Sequence, residues 1–416
     1  MREITDGDLT QIRNDILGAY QSAIDAAGGH NSVATWLQQH PTTVSHLVGI
    51  GKAAAAMVAG ALEQLSRPPT ATLVITKTGH TDELDLNDPH LTCIESSHPV
   101  ADGRALKAGR ALREFFDQAP RNAQFLVCIS GGASALVDDL AQGLDADFLS
   151  RMNQWLLASG LPIDSINRIR KRVSQLKAGR LARCSNGRKV TCLLISDVPD
   201  DDLKTIGSGL MIEHQPQDLE VSQFDLPQWL SVVSSQPPEL APANLFTSIE
   251  TILVAKPSDA CSAAAERLKA QGHQVLVHAE PLEGDAIRVG EWLVEEARRE
   301  PGLFHIRSSE TTVVLPQNPG HGGRCQALAM AAACQMHANE NILVLAAGTD
   351  GTDGPGDVAG ALVDPGSIPR GRSAGLDPLA HILTADAGSF LKASGDLLRT
   401  GPTGTNVMDL LISWHA

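Results

Sequence analysis

The chain has 416 residues, of which 43% are hydrophobic, 19% charged and 3% aromatic. This length exceeds a typical single hydrophobic core, so we expect a globular protein of two domains. With 33 basic and 48 acidic side chains the net charge is −15. Such a charge argues against general binding to nucleic acids or to anionic membranes, because both require a cationic surface.

Neither the cysteines nor the first residues predict an oxidising or membrane environment. The seven cysteines are scattered and form no CxxC pair, so neither a cysteine zinc site nor a disulfide framework is expected. Residues 1–6 lack the apolar core of a signal peptide, and no apolar run approaches the ~18 residues of a membrane span. We therefore expect a cytoplasmic protein.

Helices and strands alternate in the first part of the chain. Apolar residues at helical spacing predict helical structure over 8–39. Asp102 is a suitable N-cap for a helix over 103–117. Between these helices, the predicted elements are a strand from residue 45, an Ala-rich helix to about residue 66 and a strand over 73–76.

The turn after the strand from residue 45 imitates a dinucleotide-binding fingerprint, Gly49-x-Gly51-x-x-Ala54. However, the next strand is followed by Lys77, where an acidic ligand of the ribose is expected. We interpret the turn instead as holding a cation, Lys52, at the carboxyl end of a strand, where open α/β sheets bind ligands.

The stretch 126–136 predicts a buried strand, a tight turn and the start of a helix. Ser130-Gly131-Gly132 forms the turn, and the unpaired N–H groups of the following helix would favour an anion. Ser134 adds a hydroxyl group nearby. For one such loop, a turn that binds nothing is an equally good interpretation.

Two charged stretches follow. A helix predicted from residue 164 or 165 to 183 has basic residues on its polar faces, and such a run is most often a solvated face. The strand 190–195 is followed by Asp197 and then by residues 200–202, all aspartates. Carboxylates past a strand end suggest a divalent metal or a catalytic base, although helix capping would explain one of them.

Prolines among Ser and Gln over 214–248 predict a junction between an N-terminal domain, 1–235, and a C-terminal domain, 249–416. A second α/β alternation follows. Its predicted strands are 252–255, 274–278, 311–315 and 342–346, and its predicted helices are 258–271, 284–300, 325–336 and 407–412.

Polar, glycine-rich loops follow five of the predicted strands and suggest two facing rims of an active-site cleft between the domains. Lys52 and Arg324 supply positive charge, and the Gly131 loop supplies N–H donors. Aspartates follow in other loops and can hold a cation. Phosphoryl transfer needs this combination of positioning, charge stabilisation and metal neutralisation.

Seven motifs occur along the chain in this order: Val48-Gly49-Ile50-Gly51-Lys52-Ala53, His98-Pro99-Val100, 130–136, Ser196-Asp197-Val198-Pro199, Gly322-Gly323-Arg324, 348–354 and 401–406. Together they resemble the motifs of the class II glycerate kinases. That resemblance implies a Rossmann-like N-terminal domain with a parallel sheet flanked by helices, and a smaller C-terminal α/β domain of the MOFRL type. It also implies phosphorylation of D-glycerate to 2-phosphoglycerate with ATP and Mg²⁺. The chain departs from the family pattern at Cys325 and Ala327.

The expected site residues follow from the loops and from the resemblance together. The catalytic candidates are Lys52, Arg324 and Asp197, and the Mg²⁺ candidates are Asp197, Asp350 and Asp353. The candidates for ATP binding are Gly49, Gly51, Ser130, Gly131, Gly132, Ser134, Gly348, Thr349, Thr405 and Asn406.

Two other functions stay open at this point. One is an NAD(P)H-dependent hydroxypyruvate reductase, which Lys77 disfavours, and the other is a non-catalytic metabolite-binding protein. The expected partners are the small molecules glycerate and ATP, with no nucleic acid and no membrane. The oligomeric state is open, with a homodimer as one alternative.

Overall fold

The computed structural model describes residues 6–416, which form two compact units. The N-terminal unit is Gly28–Ala255. The C-terminal unit combines the residues up to Ala27 with Lys256–Ala416. Residues 1–5 lie outside the described residues. They belong to the segment 1–6 in which the sequence predicts no signal peptide.

The N-terminal unit contains a six-stranded sheet in which all strands are parallel. The strand order is β3-β2-β1-β4-β5-β6, the order of a Rossmann-type doubly wound sheet. The predicted Rossmann-like fold is therefore confirmed. The strands are β1 (His46–Ile50), β2 (Ala71–Lys77), β3 (Leu91–Ser96), β4 (Phe125–Ile129), β5 (Val190–Ile195) and β6 (Ile249–Ala255).

Helix α1 (Asp6–Ala26) belongs to the C-terminal unit, and the next eight helices belong to the N-terminal unit. These helices cover a sheet whose strands β1, β4 and β5 are completely buried, as expected for continuous apolar strands of a parallel sheet. The eight helices are α2 (Gly29–Gln39), α3 (Ala54–Gln64), α4 (Gly103–Gln118), α5 (Ala133–Leu136), α6 (Ala146–Ala158), α7 (Ile163–Val173), α8 (Ala182–Ser185) and α9 (Gln228–Ser234).

Two predicted helical regions can be compared with the structure. The region predicted to be helical over 8–39 contains α1 and α2, and Gly28 is the extended N-cap of α2. The helix predicted to reach residue 183 ends at Val173. There the Ser174 hydroxyl accepts hydrogen bonds from the N–H groups of Leu176 and Lys177, so the backbone turns instead of continuing the helix.

The proline-rich segment, residues 214–248, lies inside the N-terminal unit and leads into β6. The strand predicted to open the second domain is therefore the sixth strand of the first sheet, where β6 pairs with β5. The two units meet in the sequence at Ala255 and Lys256 rather than within 214–248. At the other end, α1 packs against α10 (Pro257–Ala270), which explains why it groups with the C-terminal unit.

The C-terminal unit contains a seven-stranded mixed sheet, β12-β11-β10-β13-β9-β7, with β8 also paired to β9. Its pairs are antiparallel except those of β7 and β8 with β9. The strands are β7 (Gln274–Val277), β8 (Leu282–Asp285), β9 (Leu303–Thr312), β10 (Ile342–Gly348), β11 (Gly360–Val363), β12 (Leu397–Leu398) and β13 (Asp409–His415). The remaining helices are α11 (Ala286–Arg299), α12 (Arg324–Gln335), α13 (Ser367–Ser373), α14 (Pro378–Leu383) and α15 (Ala387–Ser394).

The prediction of a last helix over 407–412 is wrong. This region contains β13, which lies in the sheet between β10 and β9. Its side chains are buried from Asp409 to Trp414, and a short apolar run of this kind cannot be assigned to helix or strand from periodicity alone. The strand predicted over 311–315 is also displaced, because β9 ends at Thr312.

Among residues 6–416, no helix combines the length and the hydrophobicity that a membrane crossing requires.

Candidate active site

In the N-terminal unit, the loops that follow β1 and β4 are joined by backbone hydrogen bonds. The N–H of Lys52 donates to the carbonyl of Gly131 at 2.9 Å, and the N–H of Ala53 donates to Ser130 Oγ at 3.0 Å. The N–H of Ser130 donates to the carbonyl of Ile50. These loops lie at the carboxyl edge of the sheet where the strand order reverses, the position at which doubly wound folds bind ligands.

Gly51 and Gly132 make this close approach possible. Gly51 has a φ of +134°, and a Cβ at this position would lie 2.1 Å from Ser130 Oγ. Gly132 has a φ of +84°, and its Cβ would lie 3.1 Å from both Lys52 Cγ and His98 Cδ2. The structure thus brings Lys52 and Gly132 together and adds His98 from the loop after β3.

Two other predicted ligand positions in this unit have packing roles. A Cβ at Gly49 would lie 2.7 Å from Val58 Cγ2, so this glycine lets α3 pack closely on β1. The Ser134 hydroxyl lies 2.7 Å from the hydroxyl of Ser208. Ser134 lies on α5, which is a single turn of four residues. The helix whose dipole was predicted to hold an anion is therefore only one turn long.

The aspartates after β5 differ in their surroundings. Asp202 accepts hydrogen bonds from the N–H of Lys204 at 3.1 Å and the hydroxyl of Thr205 at 2.7 Å, which makes it a local cap. The buried Oδ1 of Asp201 has no hydrogen-bond partner among the described residues. Asp197 is half-buried at the strand end, and its predicted role in catalysis or metal binding stays a prediction.

The basic residues of 168–183 are not a solvated face, so that interpretation is wrong. The side chains of Lys171, Lys177 and Arg180 are buried. Lys177 is paired with the buried carboxylate of Asp138. The exposed members are Arg168, at the centre of α7, and Arg183, on α8.

Several of these cations hold the proline-rich segment in place. Arg172 donates to the carbonyl of Ser234 at 2.6 Å, and Arg180 donates to that of Pro238 at 2.9 Å. Arg183 donates to the carbonyl of Leu240. An irregular segment leaves carbonyl groups without partners from a helix or sheet, and the arginines satisfy them.

In the C-terminal unit, Arg324 is the first residue of α12 and pairs with two carboxylates. Its Nε and Nη2 donate to Asp409 at 2.6 and 3.1 Å, while Nη1 and Nη2 donate to Glu310, the latter at 3.1 Å. Burial opposes the charge of Arg324, but Asp409 and Glu310 outweigh it and raise its pKa. Sequence reasoning missed both acidic partners, because β13 was interpreted as a helix and β9 was placed too late.

Asp353 caps the N-terminus of α12. Its Oδ1 accepts from the N–H of Cys325 at 3.0 Å, and its Oδ2 accepts from the N–H of Gln326 at 2.8 Å. The Gln326 side chain also donates to Oδ2. Burial and the neighbouring Asp409 raise the pKa of Asp353 to about 6. A metal ion at Asp353 would therefore compete with established hydrogen bonds.

The loop after β10 packs against the loop before β13. The Thr349 hydroxyl donates to the carbonyl of Met408 at 2.7 Å, and Thr403 donates to the carbonyl of Thr349. The Thr405 hydroxyl donates to the carbonyl of Ala27. Thr349 and Thr405 thus use their hydroxyl hydrogens within the protein, which leaves backbone groups of these loops as the better candidates for binding a ligand.

Asp350 and Tyr20 lie beside the same loop. Asp350 Oδ1 accepts from the N–H and the hydroxyl of Thr352 at 2.8 and 3.0 Å. The Tyr20 hydroxyl donates to the carbonyl of Gly348 at 2.6 Å. Burial raises the pKa of Tyr20, with contributions from Cys325, Asp350 and Asp409. The loop that contains Gly348, Thr349 and Asp350 thus lies close to Asp409. Asn406 is buried in the adjoining loop.

Comparison with known proteins gives matches over both units. A family described as a domain of unknown function, DUF4147, matches residues 15–224, and the MOFRL family matches residues 303–409. The chain is 33% identical over 383 residues to a D-glycerate 2-kinase of Thermotoga maritima, which covers 88% of this chain and 89% of that protein.

A second relative has a different name. A putative hydroxypyruvate reductase of Agrobacterium vitis is 33% identical over 406 residues, which covers 94% of this chain and 92% of that protein. Among solved structures, a glycerate kinase of Thermotoga maritima superposes with a TM-score of 0.83 at 30% identity. The superposition covers 98% of this chain and 100% of that chain. The chain therefore belongs to the class II glycerate kinase family.

Proposed function

We propose that the protein transfers the γ-phosphoryl group of ATP to the carbon-2 hydroxyl of D-glycerate. The observation that carries this proposal is the position of Lys52 beside Gly132, where loops at the carboxyl ends of β1 and β4 meet. A cation next to a position without a side chain suits a phosphate group, because the backbone and the ammonium group can both approach its oxygens. The names of the relatives supply the substrate.

The expected magnesium ion would neutralise charge on the transferred phosphoryl group. Oxygen ligands are its usual partners, and Asp197, Asp350 and Asp353 remain the proposed set. Asp353 fits this role least well, since both of its oxygens cap α12. We therefore assign the stronger metal-binding role to Asp197 and Asp350.

Arg324 is proposed to bind an anionic group of the substrates by a single hydrogen bond. A guanidinium group has five N–H donors, and four contacts to Asp409 and Glu310 leave one N–H on Nη1. The two carboxylates therefore fix the orientation of Arg324 and reduce its net attraction for a further anion. The planar guanidinium group of Arg324 bonds both carboxylates, so a lysine at this position would not replace its function.

The hydroxypyruvate reductase function is less well supported. At the start of α3, a dinucleotide would need free N–H groups for its pyrophosphate. The N–H groups of Lys52 and Ala53 are instead bonded to Gly131 and Ser130. Lys77, the last residue of β2, also stands where an acidic ribose ligand is expected.

The proposal is tested with purified protein, ATP, Mg²⁺ and D-glycerate, with enolase as the coupling enzyme. Immediate enolase signal identifies 2-phosphoglycerate, whereas a signal only after addition of phosphoglycerate mutase identifies the 3-phosphate. ADP formation without either signal means another acceptor. Oxidation of NAD(P)H with hydroxypyruvate and no ATP turnover would favour the reductase, and ligand binding without any turnover would favour a metabolite-binding protein. The cytoplasmic location, the homodimer and the cleft between the domains stay predictions.

A further inference from the structure

Two histidines and a glutamate meet on the face of the C-terminal sheet that packs against α11. His278 directly follows β7, His305 lies on β9, and Glu296 lies on α11. Among residues 6–416, this is the one group in which three potential metal ligands have donor atoms within 4.8 Å of one another. It does not include any residue that we place in the phosphoryl-transfer site.

The distances between the three side chains suit a single small cation. His278 Nε2 lies 3.1 Å from His305 Nδ1. Glu296 has one oxygen 3.9 Å from His278 Nε2 and the other 3.7 Å from His305 Nδ1. Metal–ligand bonds of about 2.0–2.1 Å at tetrahedral angles would separate two ligand atoms by roughly 3.3 Å. The three separations differ from this value by about 0.2–0.6 Å, so shifts of this size would bring the two nitrogens and the Glu296 carboxylate, through its two oxygens, into one coordination sphere.

A second observation concerns the groups behind the three side chains. The other nitrogen of His305, Nε2, is buried, makes no hydrogen bond and lies 3.4 Å from a carboxylate oxygen of Glu300. A metal-binding histidine usually donates its distant N–H to a carboxylate, which leaves the near nitrogen unprotonated, and Glu300 is the carboxylate placed for that role beside His305. Arg307 similarly donates to both oxygens of Glu296, at 2.6 and 2.8 Å.

We propose that His278 Nε2, His305 Nδ1 and Glu296 bind a divalent transition-metal ion, with Zn²⁺ as the best chemical match. Two imidazoles and one carboxylate form a ligand set that zinc uses with a fourth position left for water. His278 retains 23% of its side-chain exposure and so provides the route from solvent, while the His305 side chain is fully buried. The ion would join β7, β9 and α11 and so stabilise the unit.

The charge balance is compatible with such an ion. Glu296 and Glu300 contribute two negative charges and Arg307 one positive charge, so the surroundings carry about one net negative charge when the histidines are neutral. Arg307 is held over the ring of Trp292 at 4.8 Å and bonds both oxygens of Glu296, so a metal ion would share that carboxylate with the guanidinium group. The competing interpretation is a hydrogen bond between the two histidines beside an Arg–Glu ion pair.

The experiment uses tag-free, full-length protein stripped with a chelator and then titrated with Co²⁺ and Zn²⁺. We expect one equivalent of Co²⁺ to produce the visible absorption of a four- or five-coordinate site, and Zn²⁺ to displace it. His278→Gln should weaken binding at least tenfold, and Glu300→Gln, which alters only the supporting carboxylate, by about tenfold. His337→Gln, at an exposed histidine on the loop after α12, is the matched control and should bind like the wild type.

A second measurement separates binding from loss of folding. One equivalent of Zn²⁺ should raise the unfolding temperature of the wild type and of His337→Gln but not that of His278→Gln, since a ligand of the folded state stabilises it. No stoichiometric binding by the wild type would overturn the proposal, as would a His278→Gln variant that binds as tightly as His337→Gln. Kinase activity does not enter either readout, so the result is independent of the proposed function.

Discussion

Gly51→Ala tests whether the contact between the loops after β1 and β4 is as tight as described. The new Cβ would lie 2.1 Å from Ser130 Oγ and 2.7 Å from the Ser130 carbonyl oxygen, so Ser130 or the turn must move. Crowding of this kind costs about 1–3 kcal/mol. The φ of +134° adds roughly 1–3 kcal/mol of backbone strain for a residue with a side chain. We expect a total loss of about 2–6 kcal/mol in the free energy of unfolding.

The matched control for this variant is Gly79→Ala. Gly79 also has a positive φ, +78°, but a Cβ at this position would have no atom within 4 Å. This control should therefore show only the strain of roughly 1–2 kcal/mol. The difference between the two variants therefore measures the collision with Ser130 together with the difference in backbone strain between φ +134° and φ +78°.

Both variants are compared by guanidinium unfolding followed by far-UV circular dichroism and by turnover of ATP with D-glycerate. Because Lys52 follows Gly51 directly and its N–H bonds to Gly131, Gly51→Ala should also lower turnover, whereas Gly79→Ala should not. If Gly51→Ala is no less stable and no less active than Gly79→Ala, the two loops are not held as tightly as we describe.

Three further predictions concern individual side chains. Lys52→Ala should lower turnover by roughly 10²-fold or more, while Lys107→Ala, at an exposed position on α4, should not. Equal turnover of the two variants would exclude the proposed role of Lys52. Burial, with a contribution from Lys171, lowers the pKa of His214 to about 4. Only the unfolded chain then takes up a proton between pH 6.5 and 4, so acidification should cost up to about 3 kcal/mol of stability, and His214→Gln should flatten this dependence in urea unfolding curves. Lys177→Met leaves the buried Asp138 without its cation and should cost about 3–5 kcal/mol, with partial recovery on adding Asp138→Asn; a loss below 1 kcal/mol would contradict this.

The parallel sheet was largely predictable because its central strands are short, continuous apolar runs. β1, β4 and β5 are buried on both faces, so their sequences carry a strong signal. β3 was not predicted. It lies at the sheet edge, and its partly exposed sequence includes Thr92 and Glu95. A strand of this kind is defined by its neighbour β2 more than by its own hydrophobicity.

Some residues of the candidate site could likewise be predicted from the sequence, and others could not. Lys52 and Gly132 could be predicted because both follow apolar strands directly, and parallel strands bring their carboxyl ends to one edge. The partners of Arg324 could not be predicted. Glu310 and Asp409 are 14 and 85 residues away from Arg324 in sequence, and they come together only through the pairing of β9 with β13. Register between distant strands is a property of the assembled sheet, and local sequence does not encode it.

The division of the chain into units has a consequence for the order of synthesis. The residues of α1 are synthesised before the N-terminal unit, but the partner helix α10 begins only at Pro257. The Tyr20 hydroxyl bonds to a carbonyl that is 328 residues further along. The whole N-terminal unit is thus synthesised after α1 and before α10. It can fold before α1 has its partner helix. The C-terminal sheet is completed later still, because β13 lies between β10 and β9 and is the last strand to emerge.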